Sequence, residues 1–176
     1  MRNIEPAALS IELAIEFAIA SGQAMQDFAR RFTDALLAAQ AAQKKSPFVV
    51  HLAGTLGAGK TTFCQGVLAG LGYGGRVKSP TYTLVESYMM DLPGIRQVHH
   101  FDFYRIHDPQ ELECMGIRDY FVAGALCLIE WPDKAAGLAG KPDLIVNIAL
   151  DAEDPNKRQL RLQSSNPEIM LWLRDL

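Results

Sequence analysis

The chain has 176 residues, 49% of them hydrophobic and 21% charged, with a net charge of −3. That size and balance suit one globular domain spanning residues 1–176 and exclude a disordered chain; without a basic excess, contact with nucleic acid is expected only through a partner. The three cysteines, Cys64, Cys114 and Cys127, are odd in number and lack metal-ligand spacing, so they read as reduced thiols. Glu5, Glu12 and Glu16 interrupt the only apolar stretch near the N-terminus, and no apolar run reaches the roughly 20 residues that span a bilayer. The expected location is the cytoplasm.

Ile11, Leu13, Ile15, Phe17 and Ile19 alternate with Glu12, Ala14, Glu16 and Ala18, a period of two that predicts a half-buried strand. Met25, Phe28, Phe32, Leu36 and Ala39 then recur at helical spacing; Ser21 is placed to cap that helix, and Lys44 and Lys45 suit its C-terminal end. Residues 47–53 form a short apolar run that reads as a buried strand. A helix is expected over 60–70, with Phe63, Val67 and Leu68 on one face, ending among the glycines of 70–75. Residues 81–90 and 95–106 are β-branched and aromatic, and Asp91-Leu92-Pro93-Gly94 between them has turn chemistry, so an antiparallel hairpin is predicted. Asp108 as N-cap, Pro109 at N1 and Glu111 at N3 open a short helix ending near Gly116. Strands follow over 125–129, 144–150 and 158–163, and a last short helix over 168–173. The order predicts an α/β fold: a P-loop NTPase-like mixed sheet with helices on both faces and an antiparallel hairpin.

The strongest motif lies between the second strand and the second helix. Gly54-Thr55-Leu56-Gly57-Ala58-Gly59-Lys60-Thr61 matches the Walker A pattern. The glycines let the backbone curl so that successive N–H groups face an anion, and the following helix turns its positive end to the same phosphates. Lys60 supplies a point charge for the β- and γ-phosphates, and Thr61 a hydroxyl for Mg²⁺.

A P-loop alone names no reaction. A GTPase reading meets Asp91-Leu92-Pro93-Gly94 and Asn156-Lys157-Arg158-Gln159, but the first is a hairpin tip and the second lacks the aspartate that reads guanine. A small-molecule kinase would carry an arginine-rich lid; residues 86–120 hold Arg96, Arg105 and Arg118 without a compact basic cluster. A nucleotide-dependent binding module with little turnover is the alternative from outside enzymology.

The remaining motifs narrow the choice. Gly57-Ala58-Gly59-Lys60-Thr61-Thr62 is followed by Val77-Lys78-Ser79-Pro80-Thr81-Tyr82, then His100-Phe101-Asp102-Phe103-Tyr104-Arg105, then Ile129-Glu130-Trp131-Pro132. Pro109-x-Glu111-Leu112 and Gly116-Ile117-Arg118-Asp119-Tyr120 accompany them. In order and spacing this resembles the bacterial TsaE (YjeE) family over about residues 19–164. The resemblance implies a P-loop ATPase, using ATP and Mg²⁺, needed for N6-threonylcarbamoyladenosine at position 37 of tRNAs reading ANN codons. It implies an accessory or resetting role beside the TsaD–TsaB heterodimer, with tRNA met only indirectly.

The same resemblance suggests roles for single residues. Leu56, Gly57, Ala58, Gly59, Lys60, Thr61 and Thr62 are expected to hold the phosphates. Asp102, late in its strand, resembles an acidic residue near the metal. Glu130 closes an apolar strand, where open α/β sheets place ligands; it resembles a metal-site glutamate that also orients the attacking water. Thr61, Asp102 and Glu130 are thus the expected metal residues, and Lys60, Asp102 and Glu130 the expected catalytic ones. Ser79, Pro80, Thr81 and Tyr82 resemble a switch-like segment that Pro80 stiffens. Arg158 resembles an arginine that approaches the nucleotide, with Arg161 as its rival, and Ile19 is the expected adenine-side contact. Trp131 either stacks or packs, and His100 and Tyr104 are assigned no chemistry. This chain departs from the family by Met25 and Ala29 in the first helix, where a threonine and a glycine are usual, and by an N-terminal extension over residues 1–10.

Overall fold

The computed structural model of the chain describes residues 13–42, 47–174 and 176. The strands are β1 (Leu13–Ile19), β2 (Phe48–Ala53), β3 (Val85–Leu92), β4 (Ile95–Asp102), β5 (Ala125–Glu130), β6 (Leu144–Leu150) and β7 (Arg158–Ser164). The helices are α1 (Gly22–Ala42), α2 (Lys60–Gly70), α3 (Gln110–Cys114) and α4 (Pro167–Trp172). The predicted extension 1–10, Ile11, Glu12, Lys44 and Lys45 lie outside the described residues. Among the described residues, no helix is long and apolar enough to cross a membrane.

Hydrophobic periodicity explains the layering. The strands join one sheet in the order β1-β7-β6-β2-β5-β4-β3. β2 pairs in parallel with β5 and β6, and β4 in parallel with β5. The outer pairs, β1–β7, β6–β7 and β3–β4, are antiparallel. Central parallel strands need cover on both faces, which is why β2 and β5 are near-continuous apolar runs. Alternate residues of β5 feed two separate cores. Leu126 and Leu128 join Phe28, Phe32, Phe63 and Leu68 of α1 and α2 on one face. Cys127 and Ile129 join Phe101, Phe103, Leu112 and Ile117 on the other. Burying one such large apolar side chain contributes about 1.5–3 kcal/mol.

The helices pair closely because α2 carries glycine where α1 crosses it. A Cβ at Gly66 would stand 2.6 Å from Ala29 Cβ and 2.7 Å from Gln26 O. Ser21 caps α1 as the sequence suggests, its Oγ accepting from Ala24 N at 3.1 Å. α3 has the predicted box in slightly shifted form. Asp108 Oδ1 accepts from Gln110 N, and Glu111 Oε1 accepts from Asp108 N, while Pro109 already sits in helical geometry.

Three expectations change. Residues 81–84 do not extend the hairpin: they form a turn in which Leu84 N donates to Pro80 O and Leu84 takes φ 64°. Residues 103–106 leave the sheet as well, because Tyr104 N donates to the Asp102 carboxylate at 3.0 Å instead of continuing a ladder. β3 runs two residues past the expected 90, so the predicted turn narrows to Pro93-Gly94, with Gly94 at φ 85°. Sequence periodicity also passes over two single turns of 3₁₀ helix, Ile117–Tyr120 and Pro132–Ala135, too short to show a repeat.

Candidate functional site

β2 delivers the glycine-rich loop to the middle of the sheet's C-terminal edge. Gly54 takes φ 146°, and a Cβ there would stand 2.3 Å from Ile148 O of β6. Gly59 takes φ 111° as the residue before α2, and Phe63 N donates back to its carbonyl at 2.9 Å. Lys60 is only 4% exposed. Its Nζ donates to Gly54 O at 2.8 Å and Thr55 O at 2.9 Å, and lies 3.8 Å from the centre of the Trp131 ring. Burial lowers the Lys60 pKa; the charges of Glu130, Asp102 and Asp133 oppose that shift.

Parallel register brings the two carboxylates together. Glu130 is the last residue of β5 and aligns with Leu52 of β2 on one side and with Asp102, the last residue of β4, on the other. Both carboxylates are buried. Glu130 Oε1 accepts from Thr61 Oγ1 at 2.8 Å, which ties the loop to the neighbouring strand. Asp102 Oδ2 accepts from Ser79 Oγ at 2.7 Å and Thr81 Oγ1 at 2.6 Å. Two consecutive strand ends thus hold the start of α2 and the 79–82 segment.

A cleft of about 440 Å³ opens between these parts, lined in part by Gly57, Lys60, Thr61, Ser79, Asp102 and Glu130. Leu56, Gly59, Thr62, Thr81 and Tyr82 add to the lining on the sides of the glycine-rich loop and of residues 79–82. Pro80 is buried behind the segment, and Ala58 is buried beneath the loop. Tyr82 is exposed at the rim, where Arg105 stacks on its ring at 4.4 Å and donates to its hydroxyl at 3.2 Å.

The two rival arginines separate clearly. Arg158 Nε donates to Ala58 O at 2.9 Å, and its Nη2 to Gly57 O at 3.4 Å, so the guanidinium braces the back of the loop. Arg161 points to Glu16 across β1, at 3.4 Å on the surface. Ile19 is buried, pairs with Arg158 in the β1–β7 ladder, and does not line the cleft. Met25, at the start of α1, places its Cε 3.6 Å from where a Gly59 Cβ would stand.

Several participants escape the sequence reading. His100 is wholly buried with Nε2 2.8 Å from Glu130 Oε1, although the sequence assigns it no chemistry. The available signal is the alternation along the end of β4: His100 and Asp102 share one face of the strand, and Phe101 takes the other. Arg105, Tyr104 and Trp131 also line the cleft. Trp131 takes φ 59°, covers Lys60 and packs on Tyr104 at 5.0 Å. Of the three mid-chain arginines, Arg105 lines the cleft, while Arg96 donates to Ala123 O and Arg118 lies beside Glu113.

Comparison with known proteins finds relatives over most of the chain. The family model described as "Threonylcarbamoyl adenosine biosynthesis protein TsaE" matches residues 19–160. A protein of Haemophilus influenzae named "tRNA threonylcarbamoyladenosine biosynthesis protein TsaE" is 48% identical over 124 residues, covering 70% of this chain and 75% of the relative. A Bacillus subtilis protein of the same name is 41% identical over 99 residues, 56% of this chain and 60% of the relative. The crystal structure of Bacillus subtilis YdiB superposes with a TM-score of 0.67 at 24% identity, covering 94% of this chain and 95% of that one, a likeness of fold.

Proposed function

The chain belongs to the TsaE family, and on that footing we propose that it is a Mg²⁺-dependent ATPase serving threonylcarbamoyladenosine formation on tRNA. The observation that carries this reading is the convergence of Lys60, Thr61, Asp102 and Glu130 on one cleft at the ends of adjacent strands. In this reading residues 1–176 act as one ATPase domain in the cytoplasm.

The loop residues 56–62 give their backbone N–H groups to the phosphates, and the positive end of α2 favours the same anion. Lys60 exchanges its two carbonyl partners for phosphate oxygens; the loss of solvent around it strengthens that contact. Thr61, Asp102 and Glu130 make an all-oxygen donor set, the chemistry that suits a hard divalent cation. When bound, Mg²⁺ neutralises charge that develops on the phosphoryl oxygens. Glu130 orients the attacking water and accepts its proton. Arg158 keeps the loop carbonyls turned away from the anion.

Asp102 couples chemistry to surface. Ser79 and Thr81 both bind its Oδ2, so a change in what Asp102 accepts is transmitted to the 79–82 segment. That segment ends in exposed Tyr82, paired with Arg105. Tyr and Arg are the residue types that anchor protein interfaces. The partner this supports is the TsaD–TsaB pair, with the present chain as the accessory subunit reset by hydrolysis. A net charge of −3 favours a protein partner over direct contact with tRNA.

Two substitutions test the reading. Lys60→Ala should abolish both ATP binding and turnover. Glu130→Ala should leave ATP binding largely intact while turnover collapses. Equal loss of binding and turnover in Glu130→Ala would remove Glu130 from the chemical step and leave a nucleotide-dependent binding module.

A further inference from the structure

We infer that His100 is a positioning residue that holds Glu130 in its working orientation; the inference rests on the ATPase reading above. His100 lies in β4 with no exposed surface, and its Nε2 stands 2.8 Å from Glu130 Oε1. Thr61 Oγ1 donates to that same oxygen at 2.8 Å. Two bonds therefore converge on Oε1, while among the described residues no hydrogen bond reaches Oε2. One carboxylate oxygen is pinned and the other is left to serve the cleft.

The ring's other nitrogen identifies the donor. Nδ1 of His100 is buried and has no hydrogen-bond partner. A buried unpaired N–H is the rarer and costlier defect, whereas a lone pair left unpaired is better tolerated. The proton accordingly sits on Nε2, and Nε2–H donates to Glu130. The surroundings preserve this arrangement. Cys64 contributes a buried sulfur within 4.8 Å of the His100 and Glu130 ligand atoms. Burial, reinforced by the charges of Glu130 and Asp102, pushes the Cys64 pKa well above the usual thiol range, so no thiolate competes with the carboxylate.

His100 matters because the other donor has a second duty. Thr61 is itself one of the proposed cation ligands. Once its hydroxyl is engaged there, His100 is the remaining side chain that fixes Oε1. A glutamate at the end of a strand has three side-chain torsions; without that anchor it samples orientations that do not face the reacting phosphate. His99, the adjacent residue, offers an internal contrast: its Nδ1 meets Ser87 Oγ at 2.8 Å and its ring packs against Tyr120, on the other side of the sheet.

The test combines kinetics with spectroscopy. His100→Ala should lower kcat for ATP hydrolysis by about 10–100-fold, the usual effect of removing a group that orients a metal-site ligand. KM for ATP should stay within about threefold of wild type, since ground-state binding is untouched. His100→Gln, whose side-chain amide can reach the same oxygen, should recover most of the lost rate; His99→Gln should leave kcat unchanged. Long-range ¹H–¹⁵N spectra of the nucleotide-free protein should show the His100 proton on Nε2. The inference is overturned if that proton is on Nδ1, if His100→Ala keeps the wild-type kcat, or if His100→Gln is as slow as His100→Ala while melting at the wild-type temperature. A wild-type chain that binds ATP without turning it over would instead overturn the ATPase reading, and this inference with it.

Discussion

Alanine at Gly54 and alanine at Gly57 make a matched pair that separates steric closure from backbone conformation in the loop. Both glycines have positive φ, 146° and 75°. A Cβ at Gly57 would meet nothing within 4 Å, whereas one at Gly54 would stand 2.3 Å from Ile148 O. That oxygen belongs to the backbone of β6, which is paired on both sides, so it cannot swing away as a flexible side chain would. A left-handed backbone costs an alanine about 1–2 kcal/mol. Forcing an extra methyl into a packed site adds about 1–3 kcal/mol. For a chain of this size each kcal/mol moves Tm by about 2–4 °C. Gly57→Ala should therefore melt about 2–8 °C below wild type, and Gly54→Ala about 2–12 °C lower again. Gly57→Ala should nonetheless lose nucleotide affinity, because Gly57 lines the cleft where phosphate is proposed to sit and its backbone would be strained by a Cβ. Calorimetric melting with a parallel titration of an ATP analogue measures both effects. Equal melting temperatures, or a Gly57→Ala variant that binds nucleotide like wild type, would refute the described loop geometry.

Two further outcomes follow from the same structure. Arg158→Ala should weaken ATP binding by loosening the loop it braces, while Arg161→Ala should leave binding unchanged and shift stability by less than about 1 kcal/mol, as expected for an exposed pair; paired titrations of the two variants decide this. Burial lowers the pKa of both His51 and His99, with backbone bonds to Ala139 and Gly140 partly opposing it at His51. Folded values below the unfolded value of about 6.5 mean that this stability is complete above that pH and is lost as pH falls through the folded values. Tm should drop between pH 7.5 and 5.5, and the double variant His51→Gln/His99→Gln should drop less; an equal drop would contradict the assignment.

The glycine spacing of 54–59 made the loop visible in the sequence, since few backbones other than a curled anion nest require that pattern before a helix. The apolar runs 47–53 and 125–129 likewise revealed the central strands, because two-sided burial removes polar alternation. Pairing was not visible. Nothing local says that β4 lies beside β5, yet that register alone brings Asp102 next to Glu130. Residues 81–84 and 103–106 have strand composition but obey the Asp102 carboxylate, which captures Ser79, Thr81 and the Tyr104 amide. His100 carries no local signal, because a histidine in an alternating strand looks like any other sheet residue until its partner across 30 positions is known. The difference between Arg158 and Arg161 also depended on tertiary placement: both lie in β7, and only Arg158, at the strand's first position, reaches the loop.

The central claim is that nucleotide turnover in this cleft supports threonylcarbamoyladenosine formation. Mass spectrometry of tRNA nucleosides from cells depleted of this protein, and resupplied with either wild type or Lys60→Ala, measures it directly. The account predicts that threonylcarbamoyladenosine falls on depletion, returns with wild type and does not return with Lys60→Ala. An unchanged level on depletion, or full recovery with Lys60→Ala, would contradict it.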